Sequence, residues 1–82
     1  MFSYISFFNN TDFPFISIYE DGENLTEILL RHTESKFYIT DAGSISVVVC
    51  DNHNKPFLNL YISLYPNERY TMNINNTFAE FI

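Results

Sequence analysis

The chain has no tryptophan, one cysteine, two glycines and only four lysine and arginine residues among its 82 residues. One cysteine cannot form an internal disulfide, and one cysteine with two histidines falls short of the roughly four ligands that zinc requires. Ten acidic residues and a net charge of −6 argue against nucleic acid as a partner. No apolar run approaches the ~18 residues of a membrane-spanning helix. We therefore expect a small acidic domain without a membrane span, metal or cofactor.

Aromatic residues are the abundant feature of this composition. A domain of this length buries only about 60% of its unfolded surface, so its core needs reinforcement from ring packing or from another chain. Nine Phe and six Tyr supply the rings, each able to bury about 150–250 Å². We expect about half of the 15 rings to fit so small a core, with the others on sheet faces or at the termini.

Alternating apolar and polar residues predict strands along most of the chain. Residues 2–8 and 15–19 are rich in aromatic and β-branched side chains, with a polar turn between them. Three consecutive valines, 47–49, predict a central strand that is buried on both faces. Residues 57–64 show the clearest alternation, and we expect them to form an antiparallel hairpin with residues 69–75.

The segment Glu23–His32 has two interpretations. Leu25, Ile28 and Leu29 lie at helical spacing, and Asn24 followed by Glu27 resembles a capping box, which favours a short helix. An irregular strand is the alternative. Whichever structure this segment adopts, the six or seven short strands along the chain predict an all-β fold. We expect a small antiparallel β-sandwich over residues 1–75, followed by an apolar C-terminal tail over residues 76–82.

The order of these signals resembles a bacterial β-sandwich domain family of undefined function, immunoglobulin-like or transthyretin-like, that occurs in surface and extracellular proteins. The residues that carry the resemblance are Tyr4–Phe8, the turn Asn9–Pro14, Ile16–Gly22, Ala42-Gly43 with Ser44–Cys50, and Tyr70–Ile74. The resemblance implies a non-enzymatic surface or scaffold module, and it supplies no catalytic residues.

The reactive side chains form no recognisable catalytic motif. Cys50 ends an apolar strand, which is typical of a buried inert thiol, and no basic group that would activate it is evident near His53 or His32. The acidic residues around Asp21-Gly22 could suit calcium, but a solvated charged turn is the simpler interpretation. We therefore expect no catalytic and no metal-binding residues.

The excess of rings predicts self-association, because exposed aromatic patches mark interfaces. We expect Phe2, Phe78, Phe81 and Ile82 to contribute, with the tail lying as an added strand on a neighbouring copy and so building a homo-oligomer or filament. A tail folded back on its own sandwich is the alternative, and a composition biased towards Asn, Ile and Phe is an alternative origin of the rings.

A second function remains open, in which exposed Tyr19, Tyr61 and Tyr65 bind a sugar or a peptide. The first eight residues are apolar but alternate, and they lack a basic region and a cleavage site, so they predict a strand rather than a signal peptide. The resemblance suggests a cell-surface, spore-surface or extracellular location. Without a visible signal peptide, three routes stay open: the protein stays where it is made, it leaves without classical secretion, or a leader has been removed.

Overall fold

The computed structural model describes residues 1–82 as an all-β protein. It has eight strands, where the sequence predicts six or seven. In chain order they are β1 (Phe2–Asn9), β2 (Phe15–Glu20), β3 (Glu23–Leu30), β4 (Tyr38–Asp41), β5 (Gly43–Cys50), β6 (Pro56–Leu64), β7 (Arg69–Ile74) and β8 (Ala79–Phe81). The chain contains no helix long and apolar enough to cross a membrane.

The strands form two four-stranded sheets that pack as a sandwich. The first sheet has the order β4-β1-β7-β8, and the second has the order β3-β2-β5-β6. All neighbours are antiparallel except β1 and β7, which run parallel over Tyr4–Asn9 and Arg69–Ile74. The prediction of an all-β sandwich is therefore confirmed at the level of two packed sheets.

The predicted hairpin between residues 57–64 and 69–75 is wrong, because β6 and β7 belong to different sheets. The connection between them arches over the end of the sandwich. The Asn67 amide donates to the Phe2 carbonyl, and the Tyr4 amide donates to the Glu68 carbonyl. These contacts place Arg69 beside Tyr4 of β1. The apolar sides of β6 and β7 therefore face each other across the core.

The segment Glu23–His32 contains a strand, β3, and not a helix. Its pairing with β2 shifts register twice, between Ile16 and Ile18 and between Ile18 and Tyr19. Leu25 and Leu29 both pack on the core while Glu27 between them is exposed, because the two register shifts break the strict alternation of the strand. Ile28, which the helical spacing grouped with them, is exposed.

Aliphatic side chains, rather than rings, fill the interior. The core cluster holds 12 buried residues, and Phe7 is its single aromatic member. β5 is a central strand as predicted, but its burial is one-sided: Val47 and Val49 are fully buried, whereas Val48 is half-buried on the outer face. The predicted alternation of β6 is confirmed, with Leu58 and Leu64 buried and the intervening polar side chains exposed.

Candidate functional site

The three candidate catalytic side chains lie in ordinary structural environments. Cys50 is buried at the end of β5, and burial raises the pKa of its thiol, although a hydrogen bond with Ser17 partly offsets this. His32 and His53 are exposed, and their backbone amides donate to the Asn9 carbonyl and to Asp51 Oδ1. A buried thiol with a raised pKa has the properties of a structural cysteine.

An acidic hollow of about 330 Å³ opens between the two sheets at one end of the sandwich. Its lining residues are Phe2, Ile39, Thr40 and Asp41 from the first sheet, and Glu20, Asp21 and Glu23 from the second. The Thr40 hydroxyl donates to Glu20 Oε1 and so joins the two sheets. No three His, Cys, Asp or Glu side chains come together in a group that could hold a metal ion.

Glu20 is the residue of this hollow whose carboxyl pKa is shifted. Partial burial raises its pKa above the usual range. The neighbouring carboxylates of Asp21, Asp41 and Glu23 raise the pKa further by like-charge repulsion. The folded chain therefore binds the Glu20 proton more tightly than the unfolded chain does. This contribution stabilises the fold at low pH and is lost as the pH rises through the folded-state pKa.

We expect Glu20→Gln to raise the melting temperature at pH 7, because the amide keeps the Thr40 contact and removes the repelled charge. After allowance for solvent screening, the gain in unfolding free energy is below about 1 kcal/mol. Thermal unfolding from pH 7 down to pH 3 should show the difference from the unsubstituted protein shrinking. Glu34→Gln, outside this hollow, is the matched control. A gain that persists unchanged at low pH would contradict the assignment.

A second hollow, of about 260 Å³, lies on the outer face of the second sheet and contains Tyr19. Its other lining residues are Phe15, Ser17, Asn24, Glu27, Asp51, Asn52 and Asn54. Asp51 is held in place by the backbone amides of His53 and Lys55, and the Lys55 hydrogen bond lowers the pKa of Asp51. The hollow thus places one tyrosine ring beside fixed amide and carboxylate groups.

The other two tyrosines of the predicted ligand face lie outside this hollow. Tyr61 shares the outer face of the second sheet, because it pairs with Ser46 of β5 while Tyr19 pairs with Val48. Tyr65 follows the end of β6, where its carbonyl accepts from the Ser3 hydroxyl and its amide donates to the Tyr70 hydroxyl. Tyr61 and Tyr65 are 80% and 76% exposed, but they do not converge with Tyr19 on one site.

The C-terminal tail lies on its own sheet. β8 pairs antiparallel with β7, and the Phe81 ring lies 5.1 Å from that of Tyr70. The Ile82 amide donates to the Thr71 carbonyl, which extends this pairing. The folded-back alternative is thus the one that the structure adopts, although Phe78, Phe81 and Ile82 remain exposed.

The outer face of the first sheet carries an apolar patch that sequence reasoning identified only through Phe2. This patch, which we term the aromatic patch, comprises Phe2, Tyr4, Phe37, Ile39 and Arg69. Phe2 and Ile39 are 57% and 64% exposed. The Arg69 guanidinium carbon lies 5.6 Å and 5.1 Å from the centres of the Tyr4 and Phe37 rings. These distances suit cation–π contacts, which hold the rings in place on the surface.

The sequence does indicate that Phe37 and Ile39 lie together on one surface, because their two-residue spacing predicts a shared strand face. Nothing in the local sequence indicates that Arg69, at least 30 residues away, would cover that face. Comparisons with known proteins add no assignment to this picture: no protein-family model, no curated protein and no solved structure matches the chain.

Proposed function

We propose that this protein is a non-catalytic structural subunit that associates with copies of itself. The observation that carries the proposal is the placement of its rings. Phe7 is the one fully buried ring of 15, and six rings are exposed. The other eight rings are half-buried, so six rings remain in contact with solvent, and a second copy is a natural cover for them.

The aromatic patch is the contact surface that best fits this function. Its exposed members lie on the outer face of a sheet, where a second sheet can pack at about 10 Å. The rings under Arg69 are already positioned, so their burial against a partner costs little side-chain entropy. Phe78, Phe81 and Ile82 are also exposed at the far edge of the same sheet, but Phe81 lies on the core-facing side opposite Met72, so they form a separate apolar surface.

The sheet order also bears on the finer fold, which we propose to be transthyretin-like. An immunoglobulin constant-type sandwich places its first, second, fourth and fifth strands in one sheet of four and the others in a sheet of three. Here β1 and β2 lie in different sheets, and each sheet has four strands. Of the two arrangements that the resemblance implies, the transthyretin-like one is favoured. A self-assembling sandwich of this kind suits a fibre or a layer at a cell or spore surface.

Assembly can be tested by sedimentation and negative-stain electron microscopy over a range of protein concentrations. We expect concentration-dependent growth of large species. The double variant F2S/I39S should reduce their mass, because it removes apolar surface from the aromatic patch without touching the core. Ile28→Ser, at a side chain 60% exposed on the other sheet, is the matched control. An unsubstituted chain that stays monomeric at millimolar concentration would refute the proposal.

Tyr19 supports a second candidate, the binding of a sugar or a peptide. Its ring stands in the 260 Å³ hollow beside amide and carboxylate groups, a combination suited to a sugar ring. Binding that is lost in Tyr19→Ala while assembly is unchanged would identify this function instead.

A further inference from the structure

The acidic hollow and the aromatic patch meet at one end of the sandwich. Phe2 and Ile39 belong to both, because they line the hollow and are exposed members of the patch. Asp41 lies on the same face, since it pairs with Phe2 across β1 and β4 and follows Ile39 by two residues in β4. A second copy that covers Phe2 and Ile39 therefore also covers or borders the Asp41 carboxylate.

Four carboxylates come together in the hollow, and we term them the acidic corner: Glu20, Asp21, Glu23 and Asp41. Glu20 Oε1 accepts from the Thr40 hydroxyl, and Asp21 Oδ1 accepts from the Ser46 amide at 3.0 Å. Neither donor carries a charge, so these hydrogen bonds hold the carboxylates in place without neutralising them. The acidic corner thus sets like charges directly beside the surface that a second copy would cover.

The basic groups at this end of the sandwich offset only part of this charge. Arg69 lies over two rings of the aromatic patch, and Glu68, directly before it, adds a further carboxylate. The Met1 amino group is the other cation, since the Met1 carbonyl accepts from the Ala42 amide next to Asp41. The remaining basic and histidine side chains do not line the hollow: Arg31, His32, Lys36, His53 and Lys55.

We propose that pH controls the self-association of this protein: copies pack through the aromatic patch when the acidic corner is protonated and separate when it is ionised. The inference rests on the proposed self-association and names its regulation. Covering an ionised carboxylate costs free energy, whereas a protonated one is a neutral hydrogen-bond donor. Two acidic corners that approach each other also repel. The assembled protein therefore binds more protons than separate chains do, and association strengthens as the pH falls.

Glu20 places this control in a mildly acidic range. Partial burial and the neighbouring carboxylates already raise the pKa of Glu20 in the single chain. The approach of a second acidic corner raises the pKa further by the same repulsion. Protonation on assembly therefore begins while the chain as a whole is still negative, because the isoelectric point is about 4.5. This separates control by the acidic corner from the general loss of charge near the isoelectric point.

Sedimentation velocity at pH 7.5 and pH 5.5, both above the isoelectric point, tests the inference. The double variant E20Q/D41N removes two carboxylates of the acidic corner, and its glutamine amide keeps the Thr40 contact. The matched control E27Q/E34Q removes two exposed carboxylates outside the hollow. Both double variants change the net charge from −6 to −4, so a difference between them reports position and not total charge. Circular dichroism will verify that each variant is folded.

At pH 7.5 we expect E20Q/D41N to associate at least about tenfold more tightly than E27Q/E34Q, since juxtaposed like charges oppose binding strongly. The unsubstituted protein and E27Q/E34Q should both associate at least about tenfold more tightly at pH 5.5 than at pH 7.5. E20Q/D41N should change less between the two pH values, because fewer of its groups can take up a proton. Adding F2S/I39S to E20Q/D41N should abolish its tighter association.

The outcomes separate this inference from the proposed function. If the protein assembles but E20Q/D41N and E27Q/E34Q associate equally at pH 7.5, control by the acidic corner is refuted and self-association stands. If the tighter association of E20Q/D41N survives F2S/I39S, the controlled contact lies outside the aromatic patch, and the inference is likewise refuted. If the unsubstituted protein and E20Q/D41N are monomeric at both pH values, the proposed function fails together with this inference.

Discussion

Replacing Phe7 with alanine should lower the free energy of unfolding by about 3–5 kcal/mol, the usual cost of deleting a fully buried ring. Phe7 is completely buried in the middle of β1, and its ring centre lies 6.3 Å from that of Tyr38. At about 0.05–0.15 kcal/mol per residue, the whole domain has about 4–12 kcal/mol to lose. The substitution therefore removes a large part of its stability, which urea unfolding at low protein concentration will measure.

Phe7→Leu provides a measurable intermediate if the alanine variant does not fold, since the smaller cavity costs less. Phe2→Ala, five residues earlier in the same strand, is the control. Its ring is more than half exposed, so we expect a change within about 0.5 kcal/mol. Equal losses at the two positions would show that ring burial does not govern stability here.

Asn9→Ala is expected to lower the free energy of unfolding by about 3 kcal/mol, because the buried Asn9 side chain makes hydrogen bonds that connect the two sheets. Its side-chain amide donates to the Leu29 carbonyl of β3 at 2.9 Å. Its Oδ1 accepts from the Thr11 amide at 3.0 Å and from the Thr11 hydroxyl at 2.6 Å. Alanine leaves all these groups without their partner in a site that water does not reach, since Asn9 and Thr11 are 0% and 1% exposed.

The adjacent Asn10→Ala is the matched control. Asn10 is exposed and its side chain donates only to Asn75 Oδ1, so we expect a change within about 0.5 kcal/mol. At about 4–8 °C per kcal/mol, the two variants should differ in melting temperature by more than about 10 °C. Similar melting temperatures would contradict the role given to Asn9.

The positions of the strands could be predicted from the sequence, because the alternation of side chains along a strand depends only on neighbouring residues. The alternation of residues 57–64 nearly matches β6, and the turn at Asp21-Gly22 falls between β2 and β3, where both residues have positive φ. Periodicity specifies which face a residue occupies, but it does not specify which strand lies beside it. The false hairpin between β6 and β7 is an error of the second kind, since their apolar faces suit an arch as well as a hairpin.

The candidate surfaces were predicted less completely for a related reason. The sequence shows that the chain has more rings than a small core needs, and it identifies Phe2 as a self-association residue. Which rings lie together on the surface depends on how strands that are distant in the sequence pair with one another. Ile39 reaches the aromatic patch because β4 pairs with β1, and Arg69 reaches it because β7 does. The hollow around Tyr19 likewise combines β2, β3 and the loop after β5. Tyr61 shares the outer face but lies outside the hollow because β5 separates β6 from β2, and Tyr65 lies outside it because it follows the end of β6.

The parallel pairing of β1 with β7 has a consequence for how the chain folds. The second sheet takes all four of its strands from residues 15–64, with β4 of the first sheet between β3 and β5, and its strands can pair as soon as that stretch exists. The first sheet must instead wait for Arg69–Ile74, because β1 has no other central neighbour until the last fifth of the polypeptide is available. Loop closure over so long a separation is slow, so during synthesis the N-terminal strand can pair with β4 but lacks its second neighbour until the chain is nearly complete.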